Sequence, residues 1–220
     1  RLAPRTTLEG EWAATRTPAG AVAGSAGDAG RVELKHEGAR TQLRIWGMNA
    51  SDGFANPGAG LAGGRTEAGA RFATRLAERT RLSSEALYSA DAAGRTRRGG
   101  LLTSVDRTLS PAWRGELGVR VVGESREGPG EEPTTVSLRA RLLGQVPKHP
   151  EWSGYGEFEQ DTQELSRRLA AIGGEYRFSA RGRAYARHEI ASSLNGAWSL
   201  SGHEQRLATV AGIDAGVARD

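Results

Sequence analysis

The sequence predicts an all-β fold: a closed antiparallel up-and-down transmembrane β-barrel of about twelve strands, with residues 1–220 forming a single domain. Three observations lead to this prediction. Runs of about ten residues alternate between apolar or small side chains and charged ones. The connections between the runs alternate in length, and the composition is poor in the residues that fill a soluble core.

The clearest pair of runs occupies residues 67–90, with a tight turn at 77–78. In the first run Ala70 and Phe72 flank Arg71, and the second run repeats the pattern. Side chains alternate across a strand, so each run has one apolar or small face and one charged face. Each run is near the length of a tilted strand that crosses a bilayer, whereas soluble strands are more often about five or six residues long.

Three strands are expected before this hairpin, at 7–16, 31–37 and 40–49. In the first of them Leu8 and Trp12 alternate with acidic side chains, and the other two show the same alternation. The segment between the first two runs is rich in Gly and Ala, which predicts a loop.

Seven more strands follow the hairpin, with apolar or small side chains at every second position. They are expected at 99–109, 113–123, 134–145, 154–161, 168–178, 183–192 and 205–217. The segment 147–150, which contains two prolines, is expected to break the chain, because proline cannot donate a hydrogen bond to a ladder. The total is about twelve, and even numbers are the rule for bacterial single-chain barrels.

The connections between the runs alternate in length. Short ones are expected at 37–39, 77–78, 110–112 and 179–182, and longer ones at 17–30, 50–64, 91–97, 124–133 and 193–204. Two connections depart from this order, because 146–153 is long where a short one is expected and 162–166 is short. Short turns at one rim and long loops at the other are typical of membrane-spanning barrels, so this alternation is the most specific signal in the sequence.

The composition fits a barrel and argues against several other classes. Hydrophobic residues make up 37% of the chain and aromatic residues 6%, which is little for a soluble core, whereas a barrel needs only one apolar face. The net charge is +4, but the basic residues recur singly among 26 acidic ones, so nucleic acid is not an expected partner. Without cysteine, no disulfide or thiolate metal site can form. No apolar run is long enough for a membrane-spanning helix.

The charged face of the runs is the candidate functional surface. Its residues are expected to line the lumen, as a channel or as a plug, and are Arg71, Arg75, Arg81, Glu85, Arg114, Glu116, Arg120, Arg139, Arg141, Glu157, Glu159, Glu175, Arg177, Arg183, Arg187 and Glu189. Arg139 and Arg141 lie on the strand before Glu157 and Glu159, and strands about 4.8 Å apart would bring such side chains into ion pairs. These pairs either fill a narrow lumen or line a water-filled channel. A conducting lumen with an excess of arginine would prefer anions weakly.

Two stretches carry a resemblance to a known group of proteins, residues 52–57 (DGFANP) and 184–189 (AYARHE). Together with the strand pattern, they make the chain resemble integral outer-membrane β-barrels of Gram-negative bacteria, in particular the barrel regions of larger surface proteins. The resemblance implies an outer-membrane location, contact with membrane lipid and lipopolysaccharide, insertion by the barrel-assembly machinery and a monomeric state. It also implies a passive pore or channel, or the membrane anchor or translocation unit of a surface protein.

Both chain ends differ from a complete single-domain barrel. The chain opens at Arg1 without a signal peptide, which predicts a processed or excised piece of a longer protein. Single-domain barrels of this group usually end their last strand with an aromatic residue, whereas this chain ends at Asp220. Further strands are therefore expected beyond the sequence.

Two alternatives remain, a soluble all-β binding protein and an outer-membrane lipid hydrolase. The first would keep its charged face in water and stay monodisperse without detergent. The second would use His188 and the nearby Ser192, but no third residue that would orient such a pair is evident. None of the four His residues has partners at metal-binding spacing. Hence no enzymatic activity, catalytic residue, metal or other cofactor is expected.

Overall fold

A computed structural model describes residues 5–16, 26–54, 63–91, 94–127, 134–192 and 205–215. Within these residues the chain forms twelve strands: β1 (Thr6–Arg16), β2 (Ala26–Glu37), β3 (Thr41–Ala50), β4 (Arg65–Ala77), β5 (Thr80–Asp91), β6 (Thr96–Ser110), β7 (Trp113–Arg126), β8 (Thr134–Val146), β9 (His149–Asp161), β10 (Arg168–Ser179), β11 (Gly182–Ser192) and β12 (Gln205–Ala215). No helix in this part of the chain is long and apolar enough to span a membrane. The prediction of an all-β chain with about twelve strands is confirmed.

The strands form one sheet in which each strand lies beside its neighbours in sequence, from β1 to β12. Pairing is antiparallel: between β1 and β2, for example, Thr6 lies opposite His36 and Arg16 opposite Ala26. An order without crossovers is the up-and-down arrangement that the sequence predicts. Because the order begins at β1 and ends at β12, closure of the sheet stays a prediction.

The contacts divide the chain into two compact units, and each is described by itself. The first unit comprises Arg1–Arg75, Ser83–Thr103 and Val121–Thr134, and the second comprises Leu76–Leu82, Ser104–Arg120 and Thr135–Asp220. The buried apolar clusters of the described residues are small, such as Ala29, Ala50 and Phe54 in the first unit. That the whole chain forms one domain stays a prediction.

Several strands are longer than the sequence predicts. β2 begins at Ala26, inside the predicted loop 17–30, and β7 continues to Arg126. The first residues of β2 are mostly Ala and Gly, yet Ala26 to Gly30 pair with β1 in regular register. Strands pair through backbone hydrogen bonds, whereas a strand is recognised in a sequence by the alternating polarity of its side chains. Ala and Gly show little alternation, so the sequence does not reveal where β2 begins.

The connection between β8 and β9 differs from the break predicted at 147–150. β8 ends at Val146 and β9 begins at His149, so two residues form a tight turn. The second of them, Lys148, has a φ of 71°, in the left-handed region that tight hairpin turns use. Pro150 lies at the start of β9, where the ladder is irregular and a missing donor costs little.

With this correction, connection lengths alternate between all twelve strands of the described residues. The short connections are 38–40, 78–79, 111–112, 147–148 and 180–181, and the longer ones are 17–25, 51–64, 92–95, 127–133, 162–167 and 193–204. The two departures that the sequence suggested are therefore wrong, because strand ends were placed too early or too late by a few residues.

In each unit the side chains reverse the burial found in soluble proteins. In the first unit Trp12 is 74% exposed, whereas Glu33 is 3% exposed. In the second unit Ile213 is 72% exposed, whereas Glu159 and Asp161 are almost completely buried. Soluble proteins bury large apolar side chains and rarely bury carboxylates. The predicted alternation thus separates an exposed apolar face from a partly buried charged face.

Candidate functional site

The charged face of β7, β8 and β9, in the second unit, carries a dense group of ion pairs. Alternation places Arg139 and Arg141 of β8 on one face, and antiparallel pairing sets them directly opposite Glu159 and Glu157 of β9. We call this group the β7–β9 cluster. It consists of Glu116, Arg120, Ser137, Arg139, Arg141, Glu157 and Glu159.

Arg139 connects two glutamates of the β7–β9 cluster. Its Nη1 lies 3.7 Å from Oε1 of Glu116, and its Nε donates to Oε1 of Glu157 over 3.0 Å. Arg141 Nε lies 3.6 Å from the other oxygen of Glu157. The ion pairs that the sequence predicts between β8 and β9 are therefore present. With three arginines and three glutamates, the cluster is neutral.

Glu159 is the most deeply buried charge of the β7–β9 cluster. One carboxylate oxygen accepts a hydrogen bond from the Ser137 hydroxyl, and Nη2 of Arg120 lies 3.2 Å from the other, Oε2. Oε2 accepts no hydrogen bond from the described residues, so the attraction of Arg120 compensates its burial. A buried carboxylate that loses its cation is strongly destabilising. Arg120 is therefore the cation on which the burial of Glu159 depends.

Aromatic rings on the charged face lie flat on glycines of the neighbouring strand. Tyr155 of β9 lies opposite Gly173 of β10, where a β-carbon would collide with the ring. Arg141 approaches the same ring, with its guanidinium carbon 5.1 Å from the centroid. The arrangement recurs in Tyr185, Gly212 and Arg183 of the second unit and in Trp46, Gly69 and Arg44 of the first. Glycine permits the close approach, and the ring supports the cation.

A pocket of about 810 Å³ lies in the second unit. Its lining includes Arg114, Tyr155, Glu175, Arg183, Tyr185 and Arg187. Arg183 binds Glu175 over 3.0 Å and Asp214 of β12 over 2.7 Å. These charged groups share the lining with apolar side chains, among them Trp113, Leu143 and Val210.

The charged face of the first unit is organised around Glu33. Its carboxylate lies 2.6 Å from Arg31, 2.6 Å from Arg44 and 3.1 Å from Lys35, so one buried acid faces three cations. These residues are absent from the predicted lining set. The alternation of the runs 31–37 and 40–49 places them on the charged face, but the interactions between them appear only once the register is known.

Other predicted residues come together in pairs. Arg71 of β4 binds Glu85 of β5 over 2.8 Å. On β10 and β11, Glu175 binds both Arg177, over 3.1 Å, and Arg183, over 3.0 Å. The structure thus shows which charged residues form ion pairs. That these residues line a lumen stays a prediction.

For the remaining predicted residues the structure gives fewer contacts. Arg114 lies 3.4 Å from Asp106 of β6, a partner that sequence reasoning missed. Arg75 and Arg81 lie on β4 and β5, on the face opposite the apolar side chains. Glu189 belongs to β11, but its side chain lies outside the described residues.

The described side chains do not include the His188–Ser192 pair that the hydrolase alternative requires. Nδ1 of His188 lies 2.8 Å from Oγ1 of Thr209, its partner on β12. The side chain of Ser192 lies outside the described residues. In the described part of the chain, no group of three or more His, Asp or Glu residues could hold a metal ion.

The fold is similar to that of several solved outer-membrane proteins. A NanC porin shares 8% of the sequence, with a TM-score of 0.51 over 97% of this chain and 100% of the porin. A KdgM porin in complex with disordered oligogalacturonate shares 9%, with a TM-score of 0.47 over 96% and 100% of the two chains. The toluene transporter TodX of P. putida shares 10%, with a TM-score of 0.43 over 96% and 76%.

These similarities concern the fold. No protein-family model matches the sequence, and no curated protein matches it. At 8% identity, the likeness to the NanC porin shows that the chain has the fold of the outer-membrane porins. The resemblance to Gram-negative outer-membrane β-barrels is thereby confirmed at the level of the fold.

Proposed function

We propose that this protein is a passive pore in the outer membrane of a Gram-negative bacterium. The observation that carries the proposal is the reversed burial, with Trp12 and Ile213 exposed and Glu33 and Glu159 buried. Exposed apolar surface costs about 25 cal/mol per Å² in water, a cost that hydrocarbon removes. In a bilayer the apolar face would therefore contact lipid, and the charged face would line an aqueous lumen.

A membrane environment also calls for a closed sheet. In hydrocarbon, the unpaired backbone groups of an open edge find no partner, so only closed barrels span membranes as strands. We therefore expect a closed sheet in a monomeric protein. The strand lengths support this proposal, because even β3, with 10 residues, is long enough to cross the bilayer as a tilted strand.

The expected solutes are small ions and small polar molecules. A barrel of about twelve strands has a narrow lumen. The neutral β7–β9 cluster would restrict the size of a solute without selecting its charge. The first unit presents Arg31, Lys35 and Arg44 to two carboxylates, the buried Glu33 and the exposed Glu9, which favours a weak preference for anions.

A membrane anchor or translocation unit of a larger surface protein is the second candidate. The partial burial of the β7–β9 cluster favours it, because ion pairs that are largely withdrawn from water fill space that a conducting pore would leave to water. Membrane lipid, lipopolysaccharide and the barrel-assembly machinery are proposed partners in both cases, and neither includes an enzymatic activity. The soluble alternative is disfavoured, since Trp12 and Ile213 would then face water.

Single-channel recording separates these candidates. The refolded chain is added to a planar bilayer with a salt gradient. Discrete current steps are expected, with a reversal potential of the sign that anion preference predicts. Insertion into the bilayer without current steps would support the anchor and contradict the pore, and failure to insert would contradict both.

A further inference from the structure

The first unit contains a row of like charges that a pore does not require. Lys35 of β2 lies directly opposite Arg44 of β3, and Arg44 lies directly opposite Arg71 of β4. The three side chains, here called the cation row, occupy neighbouring positions on strands about 4.8 Å apart. Like charges directly opposite each other destabilise a sheet, so the protein maintains the cation row at a cost in stability.

Acidic neighbours neutralise the cation row only in part. The buried Glu33 lies 2.6 Å from Arg44 and 3.1 Å from Lys35, and it is shared with a third cation outside the row, Arg31. Glu9 lies 3.5 Å from Lys35, but it is 63% exposed, so water screens its charge. Glu85 accepts two hydrogen bonds from Arg71, both through the same oxygen. The side chains of Arg44, Lys35 and Arg71 are 39%, 44% and 57% exposed, so their charged ends remain open to a solute.

Trp46 positions two of the three cations. Its ring lies against Gly69, and the guanidinium carbons of Arg44 and Arg71 lie 5.1 and 5.9 Å from the ring centroid. Contacts between a cation and an aromatic face restrict the arginine rotamers. Groups that are already ordered lose little entropy when a ligand binds.

We infer that the cation row is a binding site for a compact di- or trivalent oxyanion, with inorganic phosphate as the simplest representative. Two guanidinium groups and one ammonium group would share the oxygens of the anion through charge-assisted hydrogen bonds. The added negative charge would relieve the repulsion within the row. The ligand is a soluble anion and not a lipid phosphate, because the row lies on the face opposite the exposed Val32 and Ile45. This inference rests on the proposed pore. It identifies compact oxyanions as solutes that pass through the pore.

Calorimetric titration of the refolded full chain with inorganic phosphate tests the site. The chain is kept in a phosphate-free detergent, with chloride holding the ionic strength constant. Arg71→Gln and Lys35→Gln are each expected to weaken phosphate binding about tenfold, the effect of losing one charged hydrogen bond. Arg44 is left intact, because Glu33 depends on it.

Arg65→Gln is the matched control. Arg65 is 49% exposed and pairs with one acid, Glu67, much as Arg71 is 57% exposed and pairs with Glu85. This variant should bind phosphate as the unmodified chain does. Phosphate should also change the tryptophan fluorescence, and Trp46→Phe should abolish that change.

Two outcomes would overturn the inference: an unmodified chain that binds no phosphate, or an equal loss of affinity in Arg65→Gln and Arg71→Gln. The experiments test the phosphate site and the pore independently of each other. A chain that binds phosphate but never conducts would overturn the pore and leave the site, whereas a chain that conducts without binding phosphate would overturn only the site.

Discussion

At the scale of single residues, the charged face is held by buried ion pairs whose members depend on one another. Glu159 lies between Arg120 and the Ser137 hydroxyl, and it is fully buried. Breaking such a pair leaves an uncompensated charge, which costs more than the pair contributes. Exposed pairs on the same face contribute much less.

Glu159→Gln should therefore lower the free energy of unfolding by about 3 kcal/mol, because Arg120, only 17% exposed, would lose its carboxylate. The measurement is urea-induced unfolding of the protein in lipid vesicles. The control is Glu9→Gln, which removes one of the two acidic partners of Lys35. Because Glu9 is 63% exposed, this variant should change the free energy of unfolding by less than about 1 kcal/mol. Equal effects of the two substitutions would contradict the account.

Lys148 shows how one backbone angle shapes a turn. Its φ of 71° is favourable for glycine and strained for other residues, so Lys148→Gly should stabilise the protein by about 0.5–1 kcal/mol. Arg181, in the turn between β10 and β11, has no positive φ. Arg181→Gly should therefore destabilise by a similar amount, because glycine gains freedom in the unfolded chain. Unfolding midpoints that shift in the same direction for both variants would be inconsistent with this description.

At the scale of the strands, neighbouring elements are locked together by aromatic rings that lie on glycines. Tyr155 of β9 covers Gly173 of β10, and Trp113 of β7 covers Gly144 of β8 in the same way on the apolar face. Such contacts fix the relative position of two strands, because the ring fits only where a side chain is missing. Register, and with it the pairing of every charge on the face, depends on these positions.

Gly173→Ala should destabilise the β9–β10 pairing, because the added methyl group would enter the space of the Tyr155 ring. We expect a loss of about 1–3 kcal/mol, typical of overpacking. Gly156→Ala is the control, since a β-carbon at Gly156 would have no atom within 4 Å. Adding Tyr155→Ala to Gly173→Ala should restore much of the loss. A control variant as unstable as Gly173→Ala would rule out the ring contact as the cause.

At the scale of the whole molecule, the sequence predicts the fold class, the approximate strand number and the face of each side chain. These features follow from alternation, which depends on residue type alone. The pairing of Arg139 and Arg141 with the glutamates of β9 could be predicted because the two strands follow each other in sequence.

Other features could not be predicted, because they depend on register and backbone geometry. The start of β2 at Ala26 is hidden by small residues, and the turn at Lys148 is hidden by the prolines beside it. The cation row appears only when Lys35, Arg44 and Arg71 are found at matching positions on three strands. Alternation predicts the face of the sheet on which a side chain lies, but not which residue lies beside it on the adjacent strand.

In the proposed pore the charged face lines water, whereas the apolar face contacts lipid. Two adjacent leucines of β8 provide the most direct test, since the chain has no cysteine. Leu142 is 44% exposed on the apolar face, whereas Leu143 lines the pocket of the second unit. Leu142→Cys and Leu143→Cys would be refolded separately into lipid vesicles and treated with a water-soluble, membrane-impermeant maleimide.

The cysteine of Leu143→Cys should react. The cysteine of Leu142→Cys should be protected, although Leu142 is exposed on the surface of the protein. Lipid would provide the protection, because the reagent does not enter hydrocarbon. Faster reaction at position 142 than at position 143 would show that the apolar face meets water, and it would contradict the account.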